Sequence, residues 1–346
     1  MTSYILRRLL LMIPTLLGIS VVVFGLVQIV PGGPVEQAIQ RMKTGGAGGG
    51  EAGSVSGTSA GLTKEAIEDL KRFYGFDKPV AVRYVLWMAK VVRLDFGKSY
   101  NYREDVWKLM KARIPISLFI GLTGFILGYA VCIPLGVYKA IHHRTWRDAL
   151  TSVLVFVGYS IPGFVLGMAL LVLFGGGSFW DVIPLSGLKS DAFASFSFGE
   201  KVADLTRHLI APVFCYMVGG FATITVLMKN SLMENLNADY VRTALAKGLS
   251  FRAALYKHAL RNSLIPIATG FGHVLSVIVA SSLLIETVFG IHGMGRLSFD
   301  ALQQRDYPVT LGVIIIASGL TLLGNLLSDM LYVALDPRIS FSSSQS

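Results

Sequence analysis

Apolar residues gather along this chain in six long blocks separated by polar connections: Leu9 to Val30, Ile116 to Tyr138, Ala149 to Phe174, Leu209 to Met228, Leu264 to Phe289 and Pro308 to Leu335. Each is long enough to cross a bilayer as a helix, which takes about 20 residues. Continuous runs of this kind exclude the alternating strands of a membrane β-barrel. The first block is too long for a signal-peptide core and lacks a small-residue cleavage site, so it reads as a retained span. The pattern therefore predicts an all-α polytopic membrane protein with six transmembrane helices.

The polar connections carry structure of their own. Between the fourth and fifth blocks, Asp239 suits the first turn of a helix, Ala244 and Ala246 favour its continuation, and Gly248 is suited to stop it in a left-handed conformation. Ser250 can cap a second helix running to about Arg261, and Pro266 marks entry into the next block. A helix, a bend and another helix are thus expected within a basic loop at 231–263. The plain alternative is a solvated connection kept on the cytoplasmic side by its lysines and arginines.

The longest connection, 31–113, divides in two. From Thr44 to Gly61 it is nearly all Gly, Ser, Ala and Thr, a composition that cannot bury enough apolar surface to order itself, so a flexible strap is expected. Thr63 to Gly75 then reads as a capped helix, and Pro79 opens an amphipathic stretch whose apolar members are Tyr84, Trp87, Met88, Val91 and Val92. Together they predict a small helical cap. Resting on a membrane surface through Trp87 and Trp107 and receiving a soluble delivery protein are equally good uses for it on chemistry alone.

Composition agrees with the pattern: 53% of residues are hydrophobic, 15% are charged and the mean hydropathy is +0.60. Charge sets the orientation. Lys139, Arg144 and Arg147 follow the second block, with His142 and His143 beside them, and Arg242, Lys247, Arg252, Lys257 and Arg261 follow the fourth. Both connections are expected to be cytoplasmic, together with the N-terminus (Arg7, Arg8) and a tail at 336–346 bearing Arg338. The 31–113 connection is long enough to translocate despite its cations. The net charge of +10 is accounted for by this bias and by anionic lipid headgroups, without nucleic acid. Cys132 and Cys215 fall inside predicted spans and read as small buried hydrophobes.

Motifs then point to a family. Arg242-Thr-Ala-Leu-Ala-Lys-Gly248 resembles the cytoplasmic "EAA" loop of bacterial ABC importer permeases in the form used by the oligopeptide and dipeptide branch. The resemblance extends along the chain through Arg7-Arg-Leu-Leu-Leu with Pro14, Lys71-Arg-Phe-Tyr-Gly-Phe-Asp-Lys-Pro79, Asp95-Phe-Gly-Lys-Ser99 and Gly158-Tyr-Ser-Ile-Pro-Gly163. It continues through Glu286-Thr-Val-Phe-Gly-Ile-His-Gly-Met-Gly-Arg296, Asp306-Tyr-Pro308 and Leu335-Asp-Pro-Arg-Ile339. Phe174 to Leu188 looks closest to the Yej-type sub-branch, associated with longer peptides and the peptide-nucleotide antibiotic microcin C. Two departures from the general motif stand out: Arg242-Thr-Ala244 replaces Glu-Ala-Ala, and Leu260-Arg261 replaces Leu-Pro, so no carboxylate is available there for the ATPase contact.

The resemblance implies a type I ABC importer permease fold: a first span within 1–30, a periplasmic segment at 31–113, a five-helix core at 114–335 and a cytoplasmic tail. It implies residence in a bacterial inner membrane and import of peptides by alternating access; a permease of the same fold for another solute, such as nickel or a glycoside, is the alternative. The implied partners are a second homologous permease subunit, a cytoplasmic ABC ATPase that is fused or two chains, a periplasmic or lipoprotein peptide-binding protein, and lipid. No cofactor or metal is expected in this chain, ATP and Mg being held by the partner ATPase. Arg242, Thr243, Ala244, Lys247 and Gly248 are the implied ATPase-coupling residues.

Apparent catalytic motifs fail on inspection. Gly97-Lys-Ser99 mimics the end of a phosphate-binding loop, but Val92 stands where the pattern needs glycine. His142 and His143 are adjacent, without the i, i+4 spacing that puts two ligands on one helix face. The polar residues inside apolar blocks are Gln28, Glu286, Asn325 and Asp329. Glu286 is expected at a hydrated outer end of its span; Asn325 and Asp329, four apart, share a face and can satisfy each other or a neighbouring helix. Glu286, Asn325 and Asp329 are candidate gate or helix-contact residues, and hydrogen bonding between helices is the favoured role.

Overall fold

The computed structural model describes residues 2–29, 68, 77–176, 179–268, 270 and 283–335. The expected strap, the Thr63–Gly75 helix, most of the fifth block and the tail lie outside the described residues. The chain forms two compact units, residues 1–12, 112–297 and 317–346 in one and 13–111 and 298–316 in the other.

Helices account for the fold, in the order the apolar blocks predict. The first block forms α1 (Thr2–Ile29). Pro79, with φ −55° and no N–H to leave unsatisfied, precedes α2 (Val80–Val91). Of the expected apolar face of α2, Val91 is buried and Tyr84, Trp87 and Met88 are half-buried. Val92 departs from it: it is the C-cap residue and is exposed, because the helix ends before the face comes round again.

The second block lies within α3 (Val106–Ile141), and the third becomes α4 (Trp146–Ser160) and α5 (Gly163–Phe174). The third block, expected as one span from Ala149 to Phe174, is bent within its length. Pro162 cannot donate to the helix and pushes Ile161 into extended geometry (φ −92°, ψ 118°), so the two helices meet at 93°. The fourth block sits in α6 (Phe198–Leu236), which begins well ahead of Leu209 because Ser197 and Glu200 form a capping box. The Ser197 N–H donates to Glu200 Oε2 at 2.8 Å, and the Glu200 N–H donates to Ser197 Oγ at 3.5 Å.

The loop after α6 contains α7 (Asp239–Ala246) and a second helix, α8, assembled from Phe251–Ala254, a π turn at Leu255–Ala259 and Leu260–Ser263. Short helices α9 (Ile265–Ala268) and α10 (Leu283–Val288) are what is described of the fifth block. α11 (Met294–Gln303) and α12 (Tyr307–Leu335) complete the chain. Among the described residues, four helices are long and apolar enough to cross a membrane, or five if α4 and α5 are one bent span.

In the larger unit, one core joins Val137 and Ala140 of α3 and Met228 and Leu232 of α6 to the α7–α8 loop. A second joins Ile120, Cys215, Ile285 and Phe289. Both cysteines are buried and free, as expected of small hydrophobes. In the smaller unit, Trp87 and Trp107 are half-buried against other rings: Trp87 lies 5.3 Å from Phe24 of α1 in a tilted pair, and Trp107 lies 6.2 Å from Phe96. Tyr84 also meets Phe24, with its hydroxyl 2.8 Å from Ser20 Oγ.

Candidate functional site

The loop from Asp239 to Arg261 adopts the expected helix, bend and helix. Ala238 precedes α7 in extended geometry, and the Thr243 hydroxyl donates back to the Asp239 carbonyl at 2.8 Å. The helix stops at Lys247, and Gly248 turns the chain with φ +90°, a conformation that disfavours a side chain. There the Gly248 N–H reaches the Leu245 carbonyl at 2.9 Å and the Leu249 N–H reaches that of Ala244 at 3.2 Å. Ser250 Oγ then accepts from the Ala253 N–H and starts α8.

Burial divides α7 into two faces. Val241 and Ala244 point inward, while Arg242, Thr243, Leu245, Ala246, Lys247 and Gly248 are exposed. Ala244 therefore departs from its expected place on a partner-facing surface, since its methyl group is already covered within the chain. Arg242 is 3.8 Å from Asp239, and both side chains are largely solvated. Tyr240, Leu245, Phe251 and Tyr256 add exposed apolar surface around the bend.

The loop is anchored firmly. Val241, Ala254, Leu255 and Ala259 enter the core shared with α3 and α6. Ser231 Oγ donates to the Ser263 carbonyl at 3.1 Å, Ser263 Oγ contacts the Ser231 carbonyl at 3.3 Å, and the Tyr240 hydroxyl donates to Asn235 Oδ1 at 2.6 Å.

Beside this anchor lies an ion cluster that sequence reading did not find. Lys139, expected as a solvated loop cation, is 1% exposed. Its ammonium donates to the Asp148 carbonyl at 3.0 Å, Ser152 Oγ at 2.7 Å and Thr151 Oγ1 at 3.1 Å, and lies 3.1 Å from Asp148 Oδ1. Lys229 on α6 grips both Asp148 oxygens, at 2.8 and 2.6 Å. His143 Nδ1 lies 3.4 Å from Asp148 Oδ2, and His142 Nδ1 lies 2.9 Å from the Tyr138 carbonyl, so the two imidazoles face different groups. Among the described residues no three His, Cys, Asp or Glu side chains are grouped to hold a metal ion.

The three candidate gate residues do not converge. Glu286 departs from its expected hydrated position: it is fully buried. Its carboxylate accepts from Ser117 Oγ at 2.6 Å and from the Arg296 N–H at 2.9 Å, while Ser117 Oγ accepts from the Met294 N–H at 2.7 Å. Glu286 and Ser117 thus cap the start of α11, where an anion also suits the helix dipole. A side chain at Gly293 would collide with Glu286 Oε1 and Ser117 Oγ. Asp329 pairs with α1 and not with Asn325: Arg8 Nη2 lies at 2.9 Å and the Tyr4 hydroxyl donates at 3.0 Å. Asn325 is exposed.

Gly97-Lys-Ser99 serves a different purpose from phosphate binding. Asp306, fully buried, accepts from Ser99 Oγ and from the N–H groups of Tyr100 and Asn101, both at 3.2 Å. Asp95 Oδ1 accepts from the Gly97 N–H at 2.9 Å. The segment is a turn fastened to a carboxylate far away in sequence.

Known proteins resemble this chain in sequence. The family described as binding-protein-dependent transport system inner membrane component matches residues 132–341. The chain is 40% identical over 359 residues to the peptidoglycan transport system permease protein YejB of Agrobacterium fabrum (strain C58 / ATCC 33970), covering 99% of each. It is 40% identical over 361 residues to the inner membrane ABC transporter permease protein YejB of Escherichia coli O157:H7, again covering 99% of each. Identity to the dipeptide transport system permease protein DppB of Escherichia coli (strain K12) is 34% over 355 residues, 98% of this chain and 99% of the relative. The anchored, bent loop thus belongs to a chain that is a member of the family of binding-protein-dependent transport system inner membrane components, the permeases of ABC transporters.

Proposed function

We propose that this chain is the permease subunit of an ATP-driven importer that moves peptides into the cytoplasm by alternating between two helix packings. The observation that carries the reading is the loop itself: a bent helix pair anchored in the core, with Arg242, Thr243, Leu245 and Lys247 turned outward beside an open turn at Gly248. Such a surface is built to be pushed by a partner, and a rigid mount passes that push to the helices. Full-length similarity to dipeptide and YejB permeases supports peptides as the cargo. In this reading ATP and Mg belong to a separate cytoplasmic ATPase, one fused chain or two, and a second homologous permease subunit completes the path. A periplasmic or lipoprotein peptide-binding protein delivers the substrate.

We also propose six spans with both ends cytoplasmic and 31–113 as the periplasmic segment, on the strength of the apolar blocks and the cation bias. Within the peptide class, longer peptides and microcin C fit the Yej-like sub-branch. The name of the Agrobacterium relative makes peptidoglycan fragments the second cargo to test.

The deciding experiment reconstitutes the complex in proteoliposomes and follows uptake and ATP hydrolysis with peptides of different lengths, peptidoglycan fragments, nickel and a glycoside. Peptide-dependent uptake with stimulated hydrolysis is expected. Uptake of nickel or the glycoside, without response to any peptide, would overturn the assignment.

A further inference from the structure

We infer that Asp148 is the positioning residue through which movement of the α7–α8 loop reaches the bent helix pair α4–α5, an inference that rests on reading that loop as the ATPase contact. The loop shares its core with α3 and α6: Val241 and Leu255 pack with Val137, Ala140, Met228 and Leu232. These parts form one body. No residue of α4 takes part in that core, and near its start α4 shows Trp146, Leu150, Val153 and Leu154 on the surface. Its first turn is held instead by charge.

The two lysines that hold it belong to the body. Lys139 lies between Val137 and Ala140 on α3, and Lys229 follows Met228 on α6, so each is a neighbour in sequence of core residues. Both ammonium groups converge on the one Asp148 carboxylate, and Lys139 also donates to the Asp148 carbonyl and to Thr151 and Ser152 of the next turn. Charge-assisted bonds in a desolvated site are short and directional, and lateral slip breaks them where an aliphatic contact would slide. His143 adds a third basic group at the rim.

Beyond this attachment α4 packs on α6, with Val155 buried. It runs to the break at Ile161 and Pro162, after which α5 packs closely on other helices: a side chain at Gly163 would sit 3.0 Å from the Cys215 carbonyl, and one at Gly167 would sit 2.9 Å from the Phe289 ring. The start of α4 is fastened to the coupling body by the ion cluster, and beyond the joint α5 rests on α6 and α10. Displacement of the loop therefore draws the start of α4 with it. Ion-pair networks and rigid helices with packed side chains are carriers of energetic coupling between distant parts.

The test uses the full complex with its partner subunits in proteoliposomes. Lys229 has 15% side-chain exposure, and Lys139 still neutralises Asp148 when it is removed. Lys229→Met is expected to assemble and to hydrolyse ATP within about twofold of the parent, while peptide uptake per ATP falls about fivefold or more, the range of a lost coupling energy. Lys229→Arg should restore the ratio. If Lys229→Met fails to assemble, the variant Lys139→Met/Asp148→Leu/Lys229→Met, which buries no charge, is the readout, because apolar replacement of a buried ion cluster is commonly tolerated. An assembled variant in which uptake and hydrolysis fall in proportion, or in which uptake per ATP is unchanged, overturns the inference. A parent complex whose peptide uptake is independent of ATP would overturn the proposed function instead.

Discussion

At the scale of single residues, Gly248 and Gly293 are two positions where the absence of a side chain has consequences. Gly248 has open space around it, so a larger residue there meets no neighbour in this chain and is opposed by its φ of +90° alone. That conformation costs an L-residue about 1–2 kcal/mol, and more when β-branched. Gly248→Val should insert normally, yet lose uptake and ATPase co-purification together; normal transport would reduce the loop to a solvated connection. Gly293 is the opposite case. Gly293→Ala forces a methyl group against Glu286 and Ser117 and should lower the thermal midpoint of the purified complex, at a cost of about 1–3 kcal/mol. Glu286→Ala leaves the Ser117 hydroxyl and the Arg296 N–H unserved at a similar cost. The double variant should be less destabilised than the sum, since losing the carboxylate makes room for the methyl; strict additivity would show that the two do not share a cradle. Gly248 was legible in the sequence because a helix stop is decided by its immediate neighbours. The cradle of Glu286 was not, because Ser117 lies 169 residues away and only tertiary packing brings it there.

At the scale of elements, the same division between local and distant causes holds. Pro79, Ser250 and the end of α7 appear where capping rules put them. The joint between α4 and α5 was written in Ile161-Pro-Gly163, yet an uninterrupted apolar run hid it, because hydropathy reports length and not direction. Lys139 misled for a related reason: a cation next to a span reads as solvated, and the carboxylate that buries it is on another helix. If Pro162 causes the joint, Pro162→Ala permits a continuous helix. Spin labels at the exposed positions Val157 and Val172 should then move apart by about 5 Å, from the helical rise on each side of the break. An unchanged distance would assign the bend to packing of α5 against its neighbours.

For the whole molecule, the family was legible because its motifs run from Arg7 to Ile339, while the number of spans rests on blocks the described helices cover only in part. Labelling decides it. Cysteines introduced at Ser56 and Ser344 should react with an impermeant reagent from opposite faces of the membrane, and reaction from one face would exclude six spans with both ends cytoplasmic. The clasp on Asp306 adds an element of time. The turn at Ser99 to Asn101 leaves the ribosome some 206 residues before the carboxylate that fastens it. Throughout that interval Asp306 is not there to accept from the turn, and the clasp closes only once the start of α12 is being synthesised. A chain that stops before Asp306 therefore cannot close it.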